Sequence, residues 1–160
     1  MYGAEGVGAL HADVEVGLVL RRDVDPETDW KGARDAIGGY GAALEVVDLA
    51  SPPDDPETIV AANVFHRAFV LGRLDRGFPL DGELNGQLIV NGEVRGEAAA
   101  SRDLAESVRA VAALLGAMGE HLQAGDRLIT GAVVQLPVEP GDEVVADLGP
   151  LGSTEATIAP

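Results

Sequence analysis

The sequence predicts an α+β fold that is mostly β, a sandwich or roll of short strands with one long helix. Three observations predict it. Short aliphatic runs with period-two alternation are spread along the chain and bounded by Gly, Pro and Asp. Asn91-Gly92 lies between two such runs, and that dipeptide supplies the pair of positive φ angles of a type I′ hairpin turn. Over residues 103–122 the apolar period becomes helical, with Leu104, Val108, Val111, Leu115, Met118 and Leu122 on one face. Strands and helices do not alternate, so sheets packed on one another are expected rather than βαβ units.

Residues 1–10 are small and Gly-rich and are expected to be a loose N-terminus, with a single domain over 11–160. HADVEVGLVL opens a strand at 11–21, in which Val14, Val16, Leu18 and Leu20 form an aliphatic face. Asp13 and Glu15 share the other face, about 7 Å apart along the strand. RRDVDPETDW turns at Pro26 into a short helix around 29–38, which Gly38 and Gly39 should end. AALEVVDL (42–49) is a second buried strand. SPPDDPET is a loop whose last residues open a helical turn through IVAANVF, and AFVLG (68–72) is a third strand. The hairpin follows, then the long helix, with Asp103 and Glu106 spaced as a capping box and Gly125 placed to terminate it. The tail is β again in DRLITGAVV, DEVVADL and STEATIAP. Gly-Asp introduces each of the first two, a repeated turn rather than a repeat domain.

A chain of 160 residues is one domain by length and long enough to bury a core. Hydrophobic residues make up 46% but aromatics only 4%, so the core must be built from Val, Leu, Ile and Ala. The net charge of −16 repels phosphate backbones and anionic lipid, so nucleic acid and membrane surfaces are not expected as partners. The same field favours a divalent cation. The absence of Cys removes disulfides, thiolate ligands and Cys nucleophiles together, and fits a reducing compartment. MYGAEGVGAL lacks a basic segment followed by an apolar one, and no apolar run reaches membrane-spanning length, so a cytoplasmic protein is expected.

Three constellations can carry chemistry. Asp13 and Glu15, with Glu45 inside ALEVVDL, are acids in otherwise aliphatic strands, where a carboxylate is costly unless paired or metal-bound. They point either to an all-oxygen site for Mg²⁺ or another hard divalent ion, or to a wet strand face with Glu45 meeting an Arg. Thr130-Gly131 at a strand end can present a hydroxyl and N–H groups to a ligand carboxylate, or is simply a bulge. His11, His66 and His121 have no metal-binding spacing. His11 lies two residues before Asp13 on the same strand face and can carry protons there; His121, near the expected helix C-terminus, is favoured by the dipole. A structural role is the plainer alternative for each. No nucleophile elbow, P-loop or dinucleotide fingerprint occurs.

Taken in order, these segments resemble the fumarylacetoacetate hydrolase superfamily, in particular its 2-oxopent-4-enoate hydratase and 4-oxalocrotonate decarboxylase branch. ADVEVGLVLRRDV is similar to the strand carrying the family's acid-x-acid pair, and ALEVVDL to the strand carrying its third acid. AANVFHRAFVLG with Asn63, LIVNGEVRGEAAAS, the long helix, LQAGDRLITGAV and VEPGDEVVADLGPLGS follow in the family's order. The resemblance implies a β-rich roll of the family's C-terminal domain type, binding Mg²⁺ or Mn²⁺ through Asp13, Glu15 and Glu45. It also implies a lyase-type enzyme, hydratase or decarboxylase, in which a 2-oxo acid or β-dicarbonyl chelates the ion and an enolate is stabilised. Asn63, Thr130 and Gly131 would then bind substrate, and His11 or His66 would move protons. A homo-oligomer, or a hetero-oligomer with a related subunit, is expected.

The departures are specific. The first acid is Asp13 where Glu is usual, and His66-Arg67 stand where small hydroxyl and Gly residues are usual. The hairpin's second strand ends in AAASRD without the expected turn. The family's N-terminal region, with its catalytic Lys, has no counterpart here, and the one lysine, Lys31, stands elsewhere. Two rivals therefore stay open: a biosynthetic cyclase or isomerase on a trimmed hydratase fold, and a non-catalytic partner subunit.

Overall fold

Strand β1 (Leu10–Leu20) is the spine of the molecule, because its alternate residues are aliphatic and its neighbours pair with it on both edges. The computed structural model describes residues 9–49, 55–76 and 81–159. On one edge β1 pairs antiparallel with β2 (Ile37–Asp48) along its whole length, and β2 in turn pairs with β3 (His66–Leu71). On the other edge β1 meets two short strands end to end, β6 (Arg127–Ile129) at Gly17–Val19 and β7 (Val134–Pro137) at His11–Val14. A second antiparallel sheet runs β5-β4-β8-β9, from β4 (Asp81–Val90), β5 (Glu93–Asp103), β8 (Glu143–Asp147) and β9 (Ser153–Thr157).

The two sheets share one aliphatic core. Ala12, Val14, Val16 and Leu18 from β1 are fully buried with Leu44 of β2 and with Leu88, Val144, Ala146 and Leu148 of the second sheet and its exit. Each such Val or Leu contributes roughly 1.5–3 kcal/mol by leaving water. Tyr40 is the one aromatic ring buried among the described residues, as the composition requires. The α+β sandwich or roll expected from the sequence is the fold observed.

The backbone beyond β3 passes too close to Gly41 to leave room for a side chain. Gly41 faces Gly17 across β1–β2, and a Cβ on it would lie 2.3 Å from the Arg73 carbonyl oxygen. Backbone cannot yield as a flexible side chain does. Gly41→Ala is expected to cost about 1–3 kcal/mol, read as a lower urea midpoint at an unchanged slope.

Element boundaries correct the sequence reading in four places. Helix α1 (Trp30–Ala36) stops before Gly38 and Gly39, which lie inside β2 rather than ending the helix. Of the expected loop SPPDDPET, residues 51–54 lie outside the described residues, and the helical turn that follows is α2 (Pro56–Ala61), capped by Asp55 and succeeded by a separate 3-10 turn at Asn63–Phe65. Helix α3 (Leu104–Ala117) is shorter than 103–122. Gly119 (φ +80°) ends it, not Gly125: Gly119 N–H donates to the Gly116 carbonyl and Glu120 N–H to that of Leu115, a Schellman closure. Met118 is therefore exposed, Leu122 is buried from outside the helix with its carbonyl bonded to Val24 N–H, and His121 is exposed beyond the helix end. Lastly, DRLITGAVV is not one strand, since β6 ends at Ile129 and β7 starts at Val134.

Other details match. Asn91 and Gly92 both have positive φ between β4 and β5. Asp103 caps α3 by accepting from Glu106 N–H, while the Glu106 carboxylate pairs with Arg109 instead of returning to Asp103. Both Gly-Asp turns have the same build: the Asp126 and Asp142 carboxylates accept from the N–H three residues earlier, and Gly125 and Gly141 have positive φ. Of the expected loose segment 1–10, residues 1–8 lie outside the described residues, and Leu10 already belongs to β1.

Candidate metal centre

Antiparallel pairing brings the three acids together. Asp13 on β1 stands directly opposite Glu45 on β2, and Glu15 lies one pleat further along the same face of β1, opposite Ala43. Each of Asp13, Glu15 and Glu45 offers an oxygen, and these oxygens lie within 4.8 Å of one another. The face is not wet: Asp13 is 4% exposed and Glu15 2%. The basic partner of Glu45 is a histidine, His66, rather than the arginine that a wet face would call for.

The other partners are neutral. Gln135 Nε2, on β7 opposite Asp13, donates to Asp13 Oδ2 at 2.9 Å. Gly131 N–H, in the break between β6 and β7, donates to Glu15 Oε2 at 2.8 Å. His66 Nδ1 lies 2.6 Å from Glu45 Oε1. A bulge aims that histidine. The β2–β3 register shifts between Val46 and Val47, so His66 faces Val47 while Arg67 is thrown out of register to bond Asp48 Oδ2 at 2.8 Å.

Burial first, and like charge after it, raise both carboxyls on β1 above the usual carboxylate range. Burial, and then the neighbouring Glu45 carboxylate, push Asp13 up to about 6, against the Gln135 hydrogen bond and nearby His11. Burial pushes Glu15 up to about 8, against the Gly131 N–H and with Glu45 and Asp13 adding to the rise. Asp13 Oδ1 is buried with no hydrogen-bond partner. An orphaned carboxylate oxygen beside two further acids makes an all-oxygen donor set of the kind a hard divalent ion takes, so the residues fit such an ion.

The other residues expected at the site take varied places. His11 lies on the acid face but turns Nδ1 to the Ala9 carbonyl at 3.2 Å. Asn63 is exposed in the 3-10 turn ahead of His66, outside the hydrogen bonds that tie the acids. Thr130 Oγ1 is buried without a partner. Gly131, at φ +93°, serves Glu15 with its N–H, and its carbonyl accepts from Arg102. Gln135 and Arg102 escape sequence reasoning. The one signal for Gln135 is a polar residue inside VVQLP, and the one for Arg102 is a cation in AAASRD, with no spacing to link either to the acids.

Comparison with known proteins gives a consistent picture. The family profile described as fumarylacetoacetate (FAA) hydrolase C-terminal matches residues 3–159. Two solved structures of 4-oxalocrotonate decarboxylase from Pseudomonas putida G7, complexed with magnesium and adipate or with calcium and acetate, are 28% identical. They superpose with TM-scores of 0.80 and 0.81 over 93% of this chain. This chain spans only 60% of the decarboxylase. Fumarylpyruvate hydrolase from Pseudomonas aeruginosa, in complex with Mn²⁺ and pyruvate, is 18% identical and shares the fold at a TM-score of 0.74, covering 99% of this chain and 69% of that one. So does 5-carboxymethyl-2-hydroxymuconate delta-isomerase from Mycobacterium smegmatis, 19% identical with a TM-score of 0.74, covering 96% and 60%. No curated protein sequence matches the chain significantly. Among the described residues no helix is long and apolar enough to cross a membrane.

Proposed function

This chain belongs to the fumarylacetoacetate hydrolase family, and on that premise we propose that it is a divalent-metal-dependent lyase-type enzyme, a hydratase or decarboxylase. Its substrate is a small 2-oxo acid or β-dicarbonyl compound. One observation carries the reading: three carboxylates from two paired strands converge, and one oxygen among them, Asp13 Oδ1, is buried and unanswered. The 28% identical decarboxylase with magnesium supports it.

Asp13, Glu15 and Glu45 would hold Mg²⁺ or Mn²⁺. A hard dication there neutralises the crowded carboxylates and supplies positive charge where a 2-oxo acid develops negative charge. The surrounding residues do the rest. Gln135 and Gly131 each hold one acid oxygen in place, which orients the donor set before anything binds. His66 moves the proton: Glu45 holds Nδ1 and fixes the ring, leaving Nε2 to exchange with substrate, and the side chain is 23% exposed, so the proton can pass to solvent. The Thr130 hydroxyl, buried without a partner, is the donor available to orient a substrate carboxylate. His11, committed through Nδ1 to Ala9, stands second to His66.

Titration calorimetry tests the reading. Mg²⁺ is expected to bind the wild-type chain, and oxalate, a non-reacting 2-oxo acid mimic, to bind only the loaded protein. Folded protein that takes up neither contradicts it. His66→Gln, whose amide can still donate to Glu45, should keep Mn²⁺ affinity within about 10-fold and lower turnover of a 2-oxo acid by roughly 10²–10⁴. Unchanged turnover removes His66 from proton transfer.

A further inference from the structure

We propose that Arg102 is a positioning residue for Glu15, acting through the backbone of the bend between β6 and β7. Its guanidinium Nη2 lies 3.1 Å from both the Gly131 and the Ala132 carbonyl oxygens, and the Gly131 N–H on the same bend donates to Glu15 Oε2. The consequence for metal affinity rests on the function proposed above; the mechanical link does not.

The bend needs such a holder. Residues 130–133 lie between two strands that stop short of each other, and among the described residues the bond from Val133 N–H to the Val14 carbonyl is the one that ties their backbone to a neighbouring strand's. At φ +93° Gly131 occupies a region open to glycine, with nothing within 4 Å of where a Cβ would stand. Glycine reaches that conformation easily and leaves it as easily. The direction of its N–H is therefore set from outside, by whatever grips the adjoining carbonyls. Arg102 does so from the end of β5, opposite Gly82 on β4, which has no side chain to obstruct it.

Arg102 is an odd choice for mere solubility. In a chain with 27 acidic residues it gives its guanidinium to backbone carbonyls, and its Nε is buried with no partner. Burying an unanswered donor is costly, so the position would favour an apolar residue if packing alone mattered. One Nη2 amino group, its two hydrogens fixed in the guanidinium plane and its charge permanent, reaches both carbonyls; a lysine ammonium on a flexible stem grips them less rigidly. The link runs from the second sheet to the first: β5 to the bend, and the bend to an acid of β1.

Arg102→Met and Arg102→Lys test the link by two readouts. In metal-free protein, NMR should show the Gly131 amide exchanging at least about 10-fold faster in Arg102→Met, while core amides such as that of Leu88 keep their protection. Mn²⁺ affinity should fall by roughly 10–100-fold, with Arg102→Lys lying between Arg102→Met and wild type in both. Unchanged Gly131 exchange and unchanged affinity in Arg102→Met would overturn the proposal. If that variant does not fold, Arg102→Lys decides, and wild-type behaviour in both measurements overturns it equally. A wild type that binds no Mn²⁺, with Gly131 exchange still responding to Arg102, defeats the metal reading and leaves the mechanical link standing.

Discussion

Glu15→Gln is expected to bind Mg²⁺ more than about 100-fold more weakly than wild type and, without metal at pH 8, to melt at a higher temperature. The two effects have one cause. Glu15 is 2% exposed, faces Asp13 and Glu45, and has its carboxyl pushed up to about 8 by burial and like charge. Ionising it in the metal-free protein costs stability; the ion recovers that cost when it binds. Glutamine keeps the shape and still accepts from Gly131 N–H, so the fold loses a buried charge without losing the bond. The expected gain at pH 8 is at most about 4 kcal/mol, an upper bound of roughly 8–16 °C for a chain of this length. Saturating Mg²⁺ should raise the melting temperature of wild type but not of Glu15→Gln. A variant less stable than wild type in the absence of metal, and still stabilised by Mg²⁺, would show that Glu15 is a structural acid.

The second large effect is on pH dependence. In the unfolded chain Asp13 and Glu15 titrate near 3.8 and 4.5; folded, they titrate near 6 and 8. Between those values the folded state holds more protons at these two groups than the unfolded one, so the stability they contribute is fully present below about pH 4 and is lost as pH rises towards about 8. The loss amounts to a few kcal/mol, since each tenfold difference in proton affinity between the two states is worth about 1.4 kcal/mol. The net charge of −16 adds repulsion of the same sign, so the comparison is with Glu15→Gln, whose decline over pH 5–8 should be shallower. Protons and metal compete for the same oxygens. Mg²⁺ affinity should therefore rise over that interval, and saturating Mg²⁺ should flatten the wild-type curve. Metal-free stability that climbs from pH 5 to pH 8 would contradict the crowding of the three acids.

Much of the frame was legible because local rules decide it. The alternation in β1, the Asn91-Gly92 turn and the Asp103 cap each need only neighbours in sequence. The end of α3 was not legible, because Leu122 continues the helical period although the chain has already closed at Gly119 and returned to meet Val24. The site divides in the same way. Acids in aliphatic strands announced Asp13, Glu15 and Glu45, but their convergence depends on the register that sets Asp13 opposite Glu45. That His66 rather than His11 holds an acid depends on one bulged residue, Arg67. Gln135 and Arg102 lie far downstream of β1 in the chain, and only strand pairing and the bend after β6 bring them near it.

If Asp13, Glu15 and Glu45 share one divalent ion, anomalous difference maps from crystals grown with Mn²⁺ will show where it sits. One strong peak is expected within bonding reach of an oxygen from each of the three side chains, and it should be absent in Glu15→Gln. Density elsewhere, or an empty cluster in crystals where Mn²⁺ is bound at other sites, would refute the shared ion.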